Sequence, residues 1–381
     1  MDLVERAGTL KGRLVKFALS PRFERQLAEA FEEADPDGAL GDDLDPIMVI
    51  DHFILQRRLA GGDTVVDRFV RTQAKLTSQE RELLLGWKDV VEGIFEVRGK
   101  DGDELSLVNL VDELPYRARS TMGKAAFRTL RRGMFVVCRL VPLGEGWLVS
   151  GNLRVFPAKD RGVMLTQAME LGLHNPAWVF RNPEKLAAAR RMLAEQRAVF
   201  VEVFGDELIV VAGAELAERI AVFWDAMTAE PGGSADGAAP QGEIALPDEI
   251  VEAESVALHF DPETGLSYYV DFGLLQELFA DPALLARRRY RETLSSYLRE
   301  DGVSPTPIRM LAERDPGNAG VVFRKLLKRR DFSWERDGEA LLREYKARYF
   351  DAPQLPTHIP VSEEMAEHVR RSRQERLPEG H

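Results

Sequence analysis

The residues best placed to do chemistry lie in the stretch 114–144. It carries Arg117, Arg119, Lys124, Arg128, Arg131, Arg132 and Arg139, and no Asp or Glu. The whole chain holds 63 acids against 51 bases, a formal net charge of -12. A base-only stretch in so acidic a protein points to a surface that faces an anion. Tyr116, Phe127 and Phe135 are interleaved among the bases. Guanidinium groups neutralise phosphates and aromatic faces stack bases, the mixture that nucleic-acid sites on small barrels use. Arg117 and Arg119 alternate, so a strand would present both on one face. Arg128, Arg131 and Arg132 share a face if their segment is helical. The expected anion-binding set is Arg117, Arg119, Lys124, Arg128, Arg131 and Arg132, with Tyr116 and Phe127 as stacking faces. The competing reading pairs these bases with the surplus acids.

A second chemistry would use His259 and Asp261, which alternate on an expected strand, with Asp271 just past the next one. A His/carboxylate set can activate water or hold a metal, the pattern of a metal-dependent hydrolase. The same residues flank Asp261-Pro262-Glu263-Thr264-Gly265, ordinary turn chemistry. Asp51 and His52 are adjacent, but helical neighbours point about 100° apart and form no dyad. Cys138, the single cysteine, sits among apolar residues and reads as a buried hydrophobe. One cysteine also excludes a disulfide framework and a Cys-based zinc site. The acidic segment 35–46 lacks the spacing and closing Glu of a calcium loop and reads as solvated. No phosphate-binding glycine loop, dinucleotide fingerprint, serine elbow or His-Glu-x-x-His motif occurs. No cofactor or metal is therefore expected. Two further basic clusters, Arg287-Arg288-Arg289 and Arg324-Lys325 with Lys328-Arg329-Arg330, read as solvated helix faces and ends.

The elements that must position these residues follow from periodicity and punctuation. Residues 12–33 and about 46–59 have helical apolar spacing. Thr77 and Glu80 make a capping box ahead of Leu83, Leu84, Leu85 and Trp87. Gly93 ends that helical pattern, and the segments IFEVRG, ELSLVNLVD, MFVVCRLVPL and GWLVSGNLRVF follow as strands. Short strands at this spacing suggest a compact OB-like or SH3-like barrel. Next, PEKLAAARRMLAEQRA predicts a helix, and VFVEVFGDELIVVAG a hairpin around Gly205-Asp206. PGGSADGAAPQG predicts a linker, and SVALHFDPETGLSYYV a second hairpin with a helix after it. The order strand, turn, strand, helix thus recurs near 199–228 and 255–280, the pattern of an internal repeat. The remainder is helical, and no window of about 18 apolar residues could span a membrane.

Residues 46–157 also carry a recognisable string. Asp51-His52-Phe53, Gly62-Asp63-Thr64, Asp67-Arg68-Phe69 and Glu80-Arg81-Glu82-Leu83-Leu84 lead to Phe95-Glu96-Val97 and Leu110-Val111-Asp112. Arg139-Leu140-Val141-Pro142-Leu143-Gly144 and Leu148-Val149-Ser150-Gly151 close it. This resembles an uncharacterised bacterial protein family, several members of which end in a SEC-C zinc motif. That Cys-rich motif is missing here. The resemblance implies a helix-plus-small-barrel module without an assigned activity.

The expected fold class is α+β: N-terminal helices with a small OB-like or SH3-like barrel, then hairpin/helix units and a helical C-terminal region. Expected boundaries are 1–157, 158–282 with a linker at 231–248, and 283–381. The expected function is a cytoplasmic binding or adaptor protein whose basic barrel surface engages an anionic partner, a nucleic acid such as RNA or another anionic ligand. The rivals are the hydrolase built on His259, Asp261 and Asp271, and a scaffold that binds another protein.

Overall fold

The computed structural model describes residues 2–36, 45–229 and 245–376. The middle of the acidic segment, most of the expected linker 231–248, and His381 lie outside the described residues. The chain divides into two units, Met1–Asn182 with Val361–His381, and Pro183–Pro360. The expected boundaries at 157 and 282 do not coincide with the limits of these units.

In the first unit, polar caps and prolines set the helix boundaries. Helices α1 (Leu3–Ala18), α2 (Glu24–Ala34), α3 (Pro46–Leu55), α4 (Val65–Thr72) and α5 (Ser78–Gly86) come first. The helix expected over 12–33 is two helices, since Pro21 starts a separate 3-10 turn, Pro21–Phe23, between them. The capping box is present: Thr77 N donates to Glu80 Oε2 at 2.8 Å, and Glu80 N to Thr77 Oγ1 at 3.2 Å. Ala7, Leu10, Leu14, Phe53, Val66, Phe69 and Trp87 bury their side chains in one core, joined by Val141 and Leu148 from the sheet.

The sheet comprises β1 (Val91–Asp101), β2 (Glu104–Asn109), β3 (Pro115–Arg119), β4 (Phe135–Leu143) and β5 (Gly146–Phe156). Its order is β1-β2-β3-β5-β4, and β4 returns to pair with β1. All seams but one are antiparallel. The exception joins β3 to β5 in parallel through two residue pairs, Ala118 to Trp147 and Arg119 to Leu148. The expected barrel is thus a curled five-stranded sheet with one narrow seam rather than a uniformly paired cylinder. Inside it pack Phe95, Leu107, Tyr116, Phe127, Leu130 and Cys138. Helices α6 (Arg161–His174) and α7 (Pro176–Val179) follow.

The second unit opens with α8 (Pro183–Phe204). The expected hairpin around Gly205-Asp206 does not form, because residues 199–204 continue this helix. Ala189, Leu193, Gln196 and Phe200 recur at helical spacing and are buried, Phe200 against Phe223 and Phe260. Only β6 (Leu208–Val211) is extended, and it pairs with β7 (Val256–Asp261). β8 (Gly265–Val270) completes the order β6-β7-β8. The 255–280 hairpin forms as expected, but the internal repeat is absent, since its first copy is helix, turn, strand. α9 (Leu216–Ala229) follows β6, and α10 (Asp248–Val251) precedes β7. After β8 come α11 (Phe272–Ala280), α12 (Arg288–Arg299), α13 (Thr306–Arg314), α14 (Pro316–Leu327), α15 (Trp334–Tyr345) and α16 (Ala347–Asp351). The three strands carry core on both faces. Val256, Leu258 and Phe260 pack with α8 and α9, and Ala257 and Tyr269 with the helices after β8. The last helix, α17 (Glu363–Arg376), belongs to the first unit, where Glu364 pairs with Arg161.

Gly93 stands inside β1 opposite Cys138. An added Cβ would lie 2.4 Å from Asn109 Oδ1. Asn109 is itself committed, accepting from Val111 N at 3.1 Å and donating to Asp112 Oδ2 at 3.2 Å. Gly93→Ala is therefore expected to lower stability by about 1–3 kcal/mol, read as an earlier urea midpoint with unchanged slope.

Candidate anion-binding face of the sheet

Two groups of bases flank β3. Arg117 and Arg119 lie on β3 and point outward on the same face, as alternation requires. Their side chains are 77% and 43% exposed. Both face Glu104 of β2, at 3.8 and 3.7 Å, long pairs that water screens and that hold little energy. Together with Trp147, Glu104 and the β4–β5 turn at Gly144-Glu145-Gly146 they line a groove of about 350 Å³.

The second group sits on the β3–β4 connection, which buried groups pin at several points. Thr121 packs on α1 at Gly8, where an added Cβ would come within 3.2 Å of it. Phe127 and Leu130 are buried inside the sheet. Lys100 Nζ donates to Phe127 O at 3.0 Å. Gly133 N donates to Val97 O at 2.9 Å, and Val97 N to Met134 O at 2.8 Å. Between these anchors Lys124, Arg128, Arg131 and Arg132 are exposed. Among the described residues none of the four enters an ion pair or side-chain hydrogen bond. The expectation that Arg128, Arg131 and Arg132 share a helical face is corrected. A 3-10 turn spans only Gly123–Phe127, Arg128 caps it, and Arg131 and Arg132 lie in the turn that Gly133 closes at φ 81°.

The two stacking residues are corrected as well. Tyr116 and Phe127 are 4% and 2% exposed, and their rings form the interior of the sheet. Tyr116 Oη donates to Asp112 Oδ2 at 2.6 Å, and its ring meets Phe95 and Trp147 edge-on. The aromatic that does reach the groove is Trp147, half buried across the seam from Ala118. Met122, 73% exposed next to the bases, adds an apolar contact. The parity of β5 places Trp147 only once the β3–β5 seam is known, so sequence spacing alone did not single it out.

Arg139, the seventh base of the stretch, serves the fold. It is 2% exposed and binds Asp51 Oδ2 through Nε at 2.9 Å and Glu92 Oε2 through Nη1 at 2.6 Å, with Gln56 also accepting. Asp51 is 3% exposed and also accepts from Lys11 Nζ and, at 2.7 Å, from Ser150 Oγ. His52 turns outward, as helical geometry dictates. Burial pushes the Asp51 carboxyl up, but Lys11 and Arg139, with hydrogen bonds from Lys11 and Ser150, outweigh it and hold the group below 3.8.

The His/Asp alternative does not assemble. His259 is buried on the central strand, and burial holds its imidazole below the ordinary range despite Asp261 and Asp206. Asp261 spends Oδ1 on the amides of Glu263 and Thr264, at 2.8 and 2.9 Å. Asp271 lies at the opposite end of β7, where its N–H meets Ser255 O, and its carboxylate faces Arg289. Among the described residues no group of three His, Cys, Asp or Glu side chains could hold a metal. Cys138 is buried, and burial pushes its thiol well up. Of the other basic clusters, Arg288 pairs with Glu292, Arg289 with Glu254, and Arg324 donates to Phe332 O. No described helix is long and apolar enough to cross a membrane.

Residues 35–173 match a family of unknown function, DUF7986. That span contains the whole 46–157 string, helices α3 to α5, the five-stranded sheet and all but the last residue of α6. The match names no activity and has no bearing on a SEC-C motif. No curated protein and no solved structure matches the chain.

Because the folded Asp51 pKa is depressed, its contribution is complete at neutral pH, above the unfolded value. It is lost as pH falls below about 4 and through the folded value. Acid titration of stability should show this loss, and Asp51→Asn should flatten it. Arg139→Ala, which strands Asp51 and Glu92, should cost about 3–5 kcal/mol by urea unfolding.

Proposed function

We propose that the first unit is a non-catalytic binding module for an anionic polymer, with single-stranded RNA the class that fits best. The observation that carries this reading is the set Lys124, Arg128, Arg131 and Arg132, exposed and without an ion-pair partner among the described residues, in a chain of net charge -12. In so acidic a protein the surplus acids offer bases ready partners, yet these four are held out on a pinned connection. Arg117 and Arg119 extend the same positive track to the groove beside Trp147. Taken as OB-like, the sheet would receive an oligonucleotide on its β2–β3 face and on the β1–β2 and β4–β5 loops, and Glu104, Arg117, Arg119 and Gly144-Glu145-Gly146 of the groove belong to those elements. A backbone of phosphates would follow the six bases while a base stacks against Trp147. The reading places the protein in the cytoplasm, where RNA is abundant and a lone buried thiol stays reduced.

The test is fluorescence anisotropy of a labelled single-stranded RNA against salt. Affinity should fall linearly on a log–log plot. Replacing Arg128, Arg131 and Arg132 together by Ala should lower the slope by about 2, since each lost phosphate contact removes about 0.7 on a single strand. Unchanged affinity and slope in the triple variant would exclude this face as the site. A low 260/280 nm absorbance ratio in protein purified at low salt would count against bound nucleic acid.

A further inference from the structure

We propose that a cleft in the second unit, beside the free edge of β8, binds an alkylammonium ligand, a primary amine or polyamine. The cleft holds about 600 Å³, within the range of small-molecule sites. Four of the seven tyrosines in the chain line it: Tyr268, Tyr269, Tyr297 and Tyr349. Two of them are fixed. Tyr297, 4% exposed, donates to Val270 O at 2.5 Å, and Tyr269, 8% exposed, lies 3.1 Å from Ser304 Oγ. A tyrosine hydroxyl that has given its proton to a carbonyl keeps its lone pairs, so it can accept from a ligand N–H.

The sheet edge adds acceptors of the same kind. Phe260 N donates to Glu207 O, so the even-numbered residues of β7 direct their backbone toward β6. Leu266 and Tyr268 stand opposite Phe260 and Leu258. Their N–H and C=O groups therefore turn away from β7, to the open edge. Tyr268 itself is 48% exposed.

Charge selects the ligand. The ionisable lining residues other than tyrosine are all acids, Glu249, Asp261 and Glu300, with no Lys or Arg among them. Lys346, which is buried, donates to Glu300 O and does not line the cleft. Arg309 lines only the adjoining groove and pairs with Glu339 at 3.0 Å. Acceptor oxygens, aromatic faces and carboxylates together fit a cation with N–H donors. An anion or a neutral apolar ligand would leave these groups uncompensated.

The experiment is isothermal titration calorimetry of the full chain with 1,4-diaminobutane, alongside uncharged 1,4-butanediol and donor-free tetramethylammonium. The expected result is saturable binding of one diamine, with the other two at least roughly tenfold weaker. Glu249→Gln with Glu300→Gln should weaken the diamine roughly tenfold. Both positions are exposed, and circular dichroism checks that the fold is kept. Glu32→Gln with Glu82→Gln, exposed in the first unit, removes the same charge elsewhere and should leave binding unchanged. No saturable binding, equal binding of the diol or of tetramethylammonium, or equal weakening by the control pair would each overturn the proposal.

Discussion

The first unit depends on one buried ionic contact, Arg139 on β4 with Asp51 on α3. Two charges taken out of water this completely persist only when every remaining donor and lone pair is used. Glu92 and Gln56 accept from the two terminal nitrogens of the guanidinium, while Lys11 and Ser150 donate to the carboxylate. Those partners come from α1, α3, β1 and β5, so satisfying one arginine sets the position of the helical layer on the sheet. Apolar packing alone is tolerant of small slides. A directional network of buried charged groups is not.

The same arginine explains how charge is divided along the base-only stretch. Arg139 lies inward and is consumed by structure, whereas the bases of the β3–β4 connection are kept outside by their neighbours. Phe127 and Leu130 turn into the sheet, and Gly133 lets the chain reverse toward Val97. With those apolar anchors directed inward, the polar residues between them have only solvent to face. The basic surface is thus a by-product of how the connection seals the sheet, and a property that binding can use.

Much of the local structure was legible in the residues. The Thr77/Glu80 box, the strands around Gly93 and Cys138, and the shared face of Arg117 and Arg119 follow from caps and period-2 alternation, which act over a few residues. Legibility failed where two patterns coincide. VFVEVF alternates like a strand, but Phe200 also continues the buried face of Ala189, Leu193 and Gln196, and helical packing prevails. Tyr116 and Phe127 have the composition of a stacking site, yet Tyr116 alternates with Arg117 on β3 and faces the opposite way, while Phe127 turns inward at the end of its 3-10 turn. Where the arginine reaches water, the ring is inside.

The sequence by itself determined the α+β class, most strand and helix positions, and the presence of a base-rich stretch in an acidic chain. These are set by propensity, periodicity and composition, all local quantities. Only the tertiary structure decided which bases are free. Arg139 finds Asp51 across 88 residues, while Arg131 and Arg132 meet no partner among the described residues. It likewise decided that His259 and Asp271 are apart, and that four tyrosines from three elements share one cleft. Pairing across long separations depends on how strands register and helices pack, and no window of sequence contains both partners.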